Sequence, residues 1–201
     1  MELREAVRRR RMVRRFDPDV PVSPDVVRDL VALAVRAPSA GFTQGWDFVV
    51  LLEPADRAAF WDAADAGTPA DAWRRGVGAA PALVVCLSDP AAYLERYAER
   101  DKGWTDRSLE RWPIPYWDTD TAMAAMVLLL GAQDAGLGAL FFGVPAERHG
   151  AVRAALGIPA GRRLVGVVAL GQEAGRAGGS PRTRRRRPLD EVVHVGRFGV
   201  S

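Results

Sequence analysis

The chain has 201 residues, 48% of them apolar, and its 28 basic residues against 25 acidic ones leave a formal charge of +3. This length suits one domain with a sizeable core, and the composition excludes global disorder. The net charge is too small to argue for nucleic acid, the lone Cys86 excludes an intrachain disulfide or a cysteine-built metal site, and the most apolar stretch, Thr121 to Ala132, is far shorter than the roughly twenty residues of a membrane span.

The N-terminus "MELREAVRRRR" holds acidic residues and no apolar core, so it does not read as a secretory signal, and a soluble, cytoplasmic protein is expected. Glu2 to Arg11 has Leu3, Ala6 and Val7 on one side of a helix. The proline-punctuated "MVRRFDPDVPVSPD" that follows should be extended. Ser23 and Pro24 form a helix start, a side-chain cap followed by proline in the first turn. Val26, Val27, Leu30, Val31 and Ala34 continue at helical spacing, and the helix should end before Pro38. Asp47–Leu52 reads as a buried strand, Pro54–Ala66 and Asp71–Val77 as helices, and Ala82–Leu87, around Cys86, as a second strand. Ala91–Arg100 is a short helix, followed by a loop from Asp101 to Pro115 rich in tryptophan and proline. Asp118–Ala135 is apolar nearly all round, which predicts a helix buried on several sides and, in a chain this short, a dimer core. Ala139–Phe142 is a strand, Pro145–Leu156 an amphipathic helix closed by Gly157, and Leu164–Leu170 a fourth strand. A flexible connector at 173–183 leads to a C-terminal extension, 184–201, where "RRRRPLDEVV" should run into a short extended segment. Helices and strands mix without a strict βαβ rhythm, so an α+β fold is expected: one domain with helices flanking a sheet of parallel and antiparallel pairs.

Neither common phosphate loop is present, nor a nucleophile elbow, and the two histidines, His149 and His194, belong to no metal-spaced cluster. If the protein is an enzyme, a bound cofactor must supply the reactive atoms. Arginines cluster at both ends. On extended chain Arg184 and Arg186 share a face, and alternating guanidinium groups can grip a phosphate, with Arg10 and Arg14 approaching from the other terminus. A lone charge run is more often a solvated basic tail, which is the competing reading; this one has no interleaved aromatics, which disfavours single-stranded nucleic acid. Between the second predicted helix and the first strand lies "RAPSAGFTQGWDFVVL", longer than a plain connector. Ser39, Ala40 and Gly41 would let backbone approach a flat ligand, and Ser39, Thr43 and Gln44 offer hydrogen bonds; a capped helix end followed by a turn is the competing reading.

Four pieces in this order, "RRRRMVRRFDPDVPV", "APSAGFTQGWDFVV", "DAGLGALFFGVP…VRAALGIPAGRRLVGVVALG" and "RRRRPLDEVVH", resemble the FMN-dependent nitroreductase family. The region from Glu53 to Pro115 resembles nothing specific. The resemblance implies an intertwined homodimer with FMN in a cleft at the interface and NADH or NADPH as electron donor. It implies that Arg10, Arg11 and Arg14 hold the ribityl chain and phosphate, with Met12, where the family often has serine, contributing backbone only. Pro38, Ser39 and Gln44 would line the flavin, with Ala40 and Gly41 reaching across the interface. Phe142 and Gly143 would lie along the ring, the Gly143 backbone N–H near flavin N5, and Arg184 and Arg186 would close the phosphate clamp. Phe42 replaces a family asparagine, and with Trp104, Tyr116 and Trp117 it is expected to shape the substrate pocket or pack the dimer. No side chain need act as an essential acid or base, no metal is implied, and the acceptor would be a nitroaromatic or quinone. The alternatives are another reaction on the same scaffold, such as dehalogenation, flavin cleavage or deazaflavin-linked redox, and flavin binding without turnover.

Overall fold

The computed structural model describes residues 1–65, 71–175 and 184–200. Four strands form one sheet in the order β1-β2-β4-β3: β1 is Trp46–Leu51, β2 Ala82–Ser88, β3 Gly138–Phe142 and β4 Arg163–Gly171. The α+β class is as expected, and the sheet is antiparallel throughout; the parallel contact foreseen from the sequence is confined to an isolated bridge between Met12 and Ala139. Seven α-helices accompany it among the described residues: α1 (Leu3–Arg9), α2 (Pro24–Ala34), α3 (Pro54–Asp65), α4 (Ala72–Gly78), α5 (Pro90–Ala98), α6 (Tyr116–Asp134) and α7 (His149–Ala155).

Strand alternation builds a core on both faces of the sheet. β2 is buried along its whole length, which accounts for the uninterrupted apolar run "ALVVCLS". Leu83, Val85 and Leu87 join Phe60, Trp61, Val77 and Val152 on the side of α3, α4 and α7. Ala82, Val84 and Cys86 join Val27, Leu30, Ala124 and Leu128 on the side of α2 and α6. Each such aliphatic side chain contributes roughly 1.5–3 kcal/mol on full burial. Burial also pushes the Cys86 thiol up to about 12, consistent with a packing role.

Local chemistry sets the helix starts. Ser23 accepts a hydrogen bond from the Asp25 backbone N–H (3.3 Å) ahead of Pro24, and Asp71 and Asp89 cap α4 and α5 in the same way. α6 crosses α2 at Gly131, where a Cβ would stand 2.9 Å from Leu30 Cδ2, so any larger residue would require the Leu30 side chain to shift.

Two expectations are corrected. Pro145–Leu156 is not one helix: a 3-10 turn at Ala146–Arg148 precedes α7, closed by the Arg148 N–H to Pro145 carbonyl bond (2.9 Å). The run "RRRRPLDEVV" is not extended throughout, because Leu189–Glu191 form a 3-10 turn after Pro188. The predicted connector lies outside the described residues from residue 176 through 183, as does residue 66, the end of the third predicted helix.

Candidate functional site

Residues 10–14 follow β3. The Val13 N–H donates to the Ala139 carbonyl (2.9 Å), and the Phe141 N–H lies 3.5 Å from Met12 Sδ. This places Arg9, Arg10 and Arg11 around a cavity of about 440 Å³ that Gln133, Gly138 and Glu173 also line. Its guanidinium groups are not equivalent. Arg9 pairs with Glu5 (2.7 Å) and Arg11 with Glu173, while Arg14 donates to the Met12 carbonyl (3.1 Å). Arg10 alone of these four has no partner among the described residues, and its Nη1 is buried. Arg10 itself is half-buried, and a cationic donor left without an acceptor on the cavity wall is chemistry suited to an anion.

Phe142 and Gly143 lie at the opposite end of β3 from Gly138, about 16 Å away at roughly 3.3 Å per residue. There a second cavity of about 310 Å³ is lined by Phe142, Gly143, Trp73, Pro145, Glu147 and Arg148, among others. A Cβ placed on Gly143 would meet nothing within 4 Å, so its backbone is open to an approaching ring.

The bend Ser39–Gly45 is pinned at both ends. Asp120, buried in α6, accepts the Ala40 N–H (2.7 Å) and the Tyr93 hydroxyl (2.8 Å) on the same oxygen, Oδ2. Burial and then the Asp120 contact hold the Tyr93 phenol well above its ordinary range. Ser39 Oγ accepts from the Gln44 N–H (2.9 Å), Thr43 Oγ1 donates to the Ala40 carbonyl (2.5 Å), and Arg96 Nε donates to the Gly41 carbonyl (2.9 Å). Within this clasp Gly41, Phe42 and Gln44 have φ of 63°, 55° and 55°, and the Phe42 ring is 77% exposed. Two non-glycine residues in the left-handed region cost about 1–3 kcal/mol each and persist only where the surroundings enforce them. Pro38 and Gln44 are exposed, and Ser39 and Ala40 are half-buried.

Trp104, Tyr116 and Trp117 gather around Trp112, at ring separations of 5.5, 5.8 and 5.7 Å. Trp117 is buried against Tyr93, Tyr116 is 36% exposed, and Trp104 packs on Tyr97, whose ring also meets Gly41. The aromatic loop thus buttresses the bend from behind.

One chain does not bring all these residues together. The bend hangs from Asp120 and the arginine cavity borders Leu129 and Gln133, so about 14–20 Å of α6 separates them at 1.5 Å per residue. Arg184 and Arg186 are exposed and without hydrogen-bond or ion-pair partners among the described residues; the bonds of their segment, Arg187 to Glu191 among them, run within it.

The nitroreductase family model matches residues 7–172, a span holding the arginine cavity, the bend and the open end of β3. The chain belongs to the nitroreductase family. Two relatives match short stretches of this nitroreductase-family chain. The CLA biosynthesis enone reductase of Lactiplantibacillus plantarum is 39% identical over 59 residues, 29% of this chain and 27% of that protein. An NADH dehydrogenase of Thermus thermophilus is 38% identical over 64 residues, 32% of this chain and 31% of that protein. Each match therefore spans about a third of the relative's length or less. A protein of Exiguobacterium sibiricum, assigned as a nitroreductase and crystallised in complex with FMN, shares the fold with a TM-score of 0.73 at 19% identity, over 96% of both chains.

Several residues of this nitroreductase-family site escaped sequence reasoning. Asp120 had a signal, a carboxylate inside a helix otherwise read as apolar. Tyr93, Arg96, Trp73 and Arg148 had none, because they fall in or near segments with no motif and reach the site only through tertiary packing.

Proposed function

We propose that the chain is an FMN-dependent oxidoreductase, acting as a homodimer, that passes reducing equivalents from NADH or NADPH to an electron-poor acceptor such as a nitroaromatic or quinone. The observation that carries this reading is the orphaned, buried Arg10 Nη1 in an arginine-lined cavity. Family membership and the FMN bound to the E. sibiricum protein support the identity of the anion as a flavin phosphate. The enzymes named in the two short matches, an enone reductase and an NADH dehydrogenase, support electron-poor acceptors and a nicotinamide donor.

Bound FMN would supply hydride transfer between donor and acceptor. The protein's part is to bind, orient and polarise. Arg10 supplies the unpaired cation for the phosphate, Arg11 and Arg14 add charge around it, and Met12 offers backbone. Phe142 and Gly143, at the far end of β3, suit the flat end of an elongated ligand, with the Gly143 N–H as a donor to the ring. Arg184 and Arg186 would complete the phosphate site from the C-terminal extension. Because α6 holds the bend apart from the arginines of its own chain, residues 38–44, with Phe42 at the tip, serve a site whose arginines belong to the partner subunit. Phe42, Trp104 and Tyr116 then border the substrate, with Trp117 fixing them from the core.

Purification provides the test. The expected protein is yellow, is bleached anaerobically by NADH or NADPH, and regains its colour on adding a quinone. A colourless protein that does not take up excess FMN overturns the proposal.

A further inference from the structure

The arginine cavity carries a carboxylate in its own wall. Glu173 lines it and pairs with Arg11, and the Glu173 side chain is only 18% exposed. The backbone on both sides of Glu173 is tied to the segment that follows the arginines. The Asp17 N–H donates to the Gln172 carbonyl (2.9 Å), the Ala174 N–H donates to the Arg15 carbonyl (3.0 Å), and Phe16 and Glu173 form an isolated antiparallel bridge. This carboxylate is therefore a fixed part of the cavity, whereas the Arg11 side chain, 54% exposed, is the freer member of the pair.

The other carboxylate paired with these arginines is placed differently. Glu5 pairs with Arg9 one turn back along α1, both side chains are at least half exposed, and Glu5 does not line the cavity. Solvent screens such a pair, so it bears little on an anion in the cavity. Among the described lining residues the charges are then three guanidinium groups and one carboxylate. A phosphate monoester carries about −1.5 to −2 near neutral pH. Arg10 Nη1 meets it without a competitor, but Arg11 meets it only by dividing its charge with Glu173. A negative group held on the wall of an anion site also repels the anion directly.

We propose that Glu173 is a built-in competitor for the anion: it occupies Arg11 in the empty cavity, opposes a phosphate monoester that enters, and so makes bound flavin exchange faster with free flavin than the arginines alone would allow. That the phosphate belongs to a flavin rests on the flavin reading; the opposition between Glu173 and a phosphate monoester does not.

The test uses the full chain, freed of FMN, at low salt, beside Glu173→Gln, which keeps the shape of the side chain and removes its charge. The glutamine oxygen can still accept from Arg11, so the fold should persist. By calorimetry, phenyl phosphate should bind Glu173→Gln about three- to tenfold more tightly than the unaltered protein, the size of one charge beside a half-exposed partner. FMN, followed by its fluorescence, should tighten by a similar factor and dissociate more slowly, while riboflavin, which has no phosphate, should bind both proteins equally. Glu5→Gln removes the same charge outside the cavity and should change these affinities by less than about twofold. Failure of Glu173→Gln to tighten phenyl phosphate, whether through equal affinity, weaker affinity or no binding to either protein, overturns the assignment. Equal tightening of riboflavin, or an equal effect of Glu5→Gln, overturns it as well. If Glu173→Gln tightens phenyl phosphate and neither protein takes up FMN, the flavin reading fails and the Glu173 assignment stands; FMN uptake with the same affinity in both proteins does the reverse.

Discussion

Arg10 differs from its neighbours in what surrounds it. Arg9 and Arg11 each have a carboxylate, whereas Arg10 Nη1 is buried with nothing to donate to. Removing an unpartnered, half-buried charge should cost the empty protein little and harm the loaded one. Arg10→Gln should therefore weaken FMN binding by about 10- to 100-fold, read by fluorescence titration, while the melting temperature of the FMN-free protein stays level or rises. A fall in that melting temperature would mean that Arg10 is structural. Cys86 makes the opposite kind of residue-scale statement. Its thiol is held up to about 12 against an ordinary 9.0 because burial opposes the thiolate. The folded state keeps the proton where the unfolded chain gives it up, so the contribution to stability is complete below about pH 9 and is lost as pH rises toward the folded value. Thermal or urea unfolding should show stability falling by up to about 1.4 kcal/mol per pH unit from this group above pH 9. Cys86→Ala should lack that part of the slope, and a native thiol that reacts readily with Ellman's reagent would contradict the burial.

The bend shows how an element is held against its own backbone preferences. Gly41 needs its left-handed φ of 63°, and a Cβ there would also stand 2.9 Å from Tyr97 Cε2, so Gly41→Ala should cost about 1–2 kcal/mol in denaturant unfolding. The clasp is the other half of the argument. Asp120 Oδ2 takes two donors, one from the bend and one from α5. Asp120→Asn and Tyr93→Phe should each cost about 1–3 kcal/mol, because each weakens or orphans a buried contact. A double-mutant cycle should return a coupling of about 1 kcal/mol; additivity would show that the two groups do not act as one clasp. β3 works as a ruler in the same sense, with the arginine-lined cavity at Gly138 and the open backbone at Gly143.

At the scale of the whole molecule, apolar surface lies open in several places. Leu3, Val7, Leu33, Met123 and Met126 are exposed on α1, α2 and α6, and on the C-terminal segment Leu189 is 71% and Phe198 90% exposed. The proposed homodimer would cover surface of this kind, and no described helix is long and apolar enough to cross a membrane. Sedimentation should give twice the mass of one chain, and removal of residues 184–201 should weaken both the dimer and FMN retention. The separation along α6 makes a sharper prediction. Mixed dimers of Arg10→Gln with a bend-disrupting variant such as Gly41→Val should regain FMN at one site per dimer, where neither parent retains it. Failure to complement would place bend and arginines in separate sites.

The sequence by itself determined the elements and the family. Alternation, capping residues and proline positions located four strands and most helices to within a residue or two, since these signals act over a few neighbouring positions. The order of the arginine-rich segment, the small-residue bend and "LFFGVP" pointed to the nitroreductase family, which the match over residues 7–172 bears out. Only the tertiary structure decided which arginine lacks a partner, because Glu173 reaches Arg11 across 162 residues of chain. It also decided that Asp120 and Tyr93 clasp the bend and that Trp73 and Arg148 face one cavity. Charge compensation and cavity shape depend on what long-range folding places side by side, and no local periodicity encodes them.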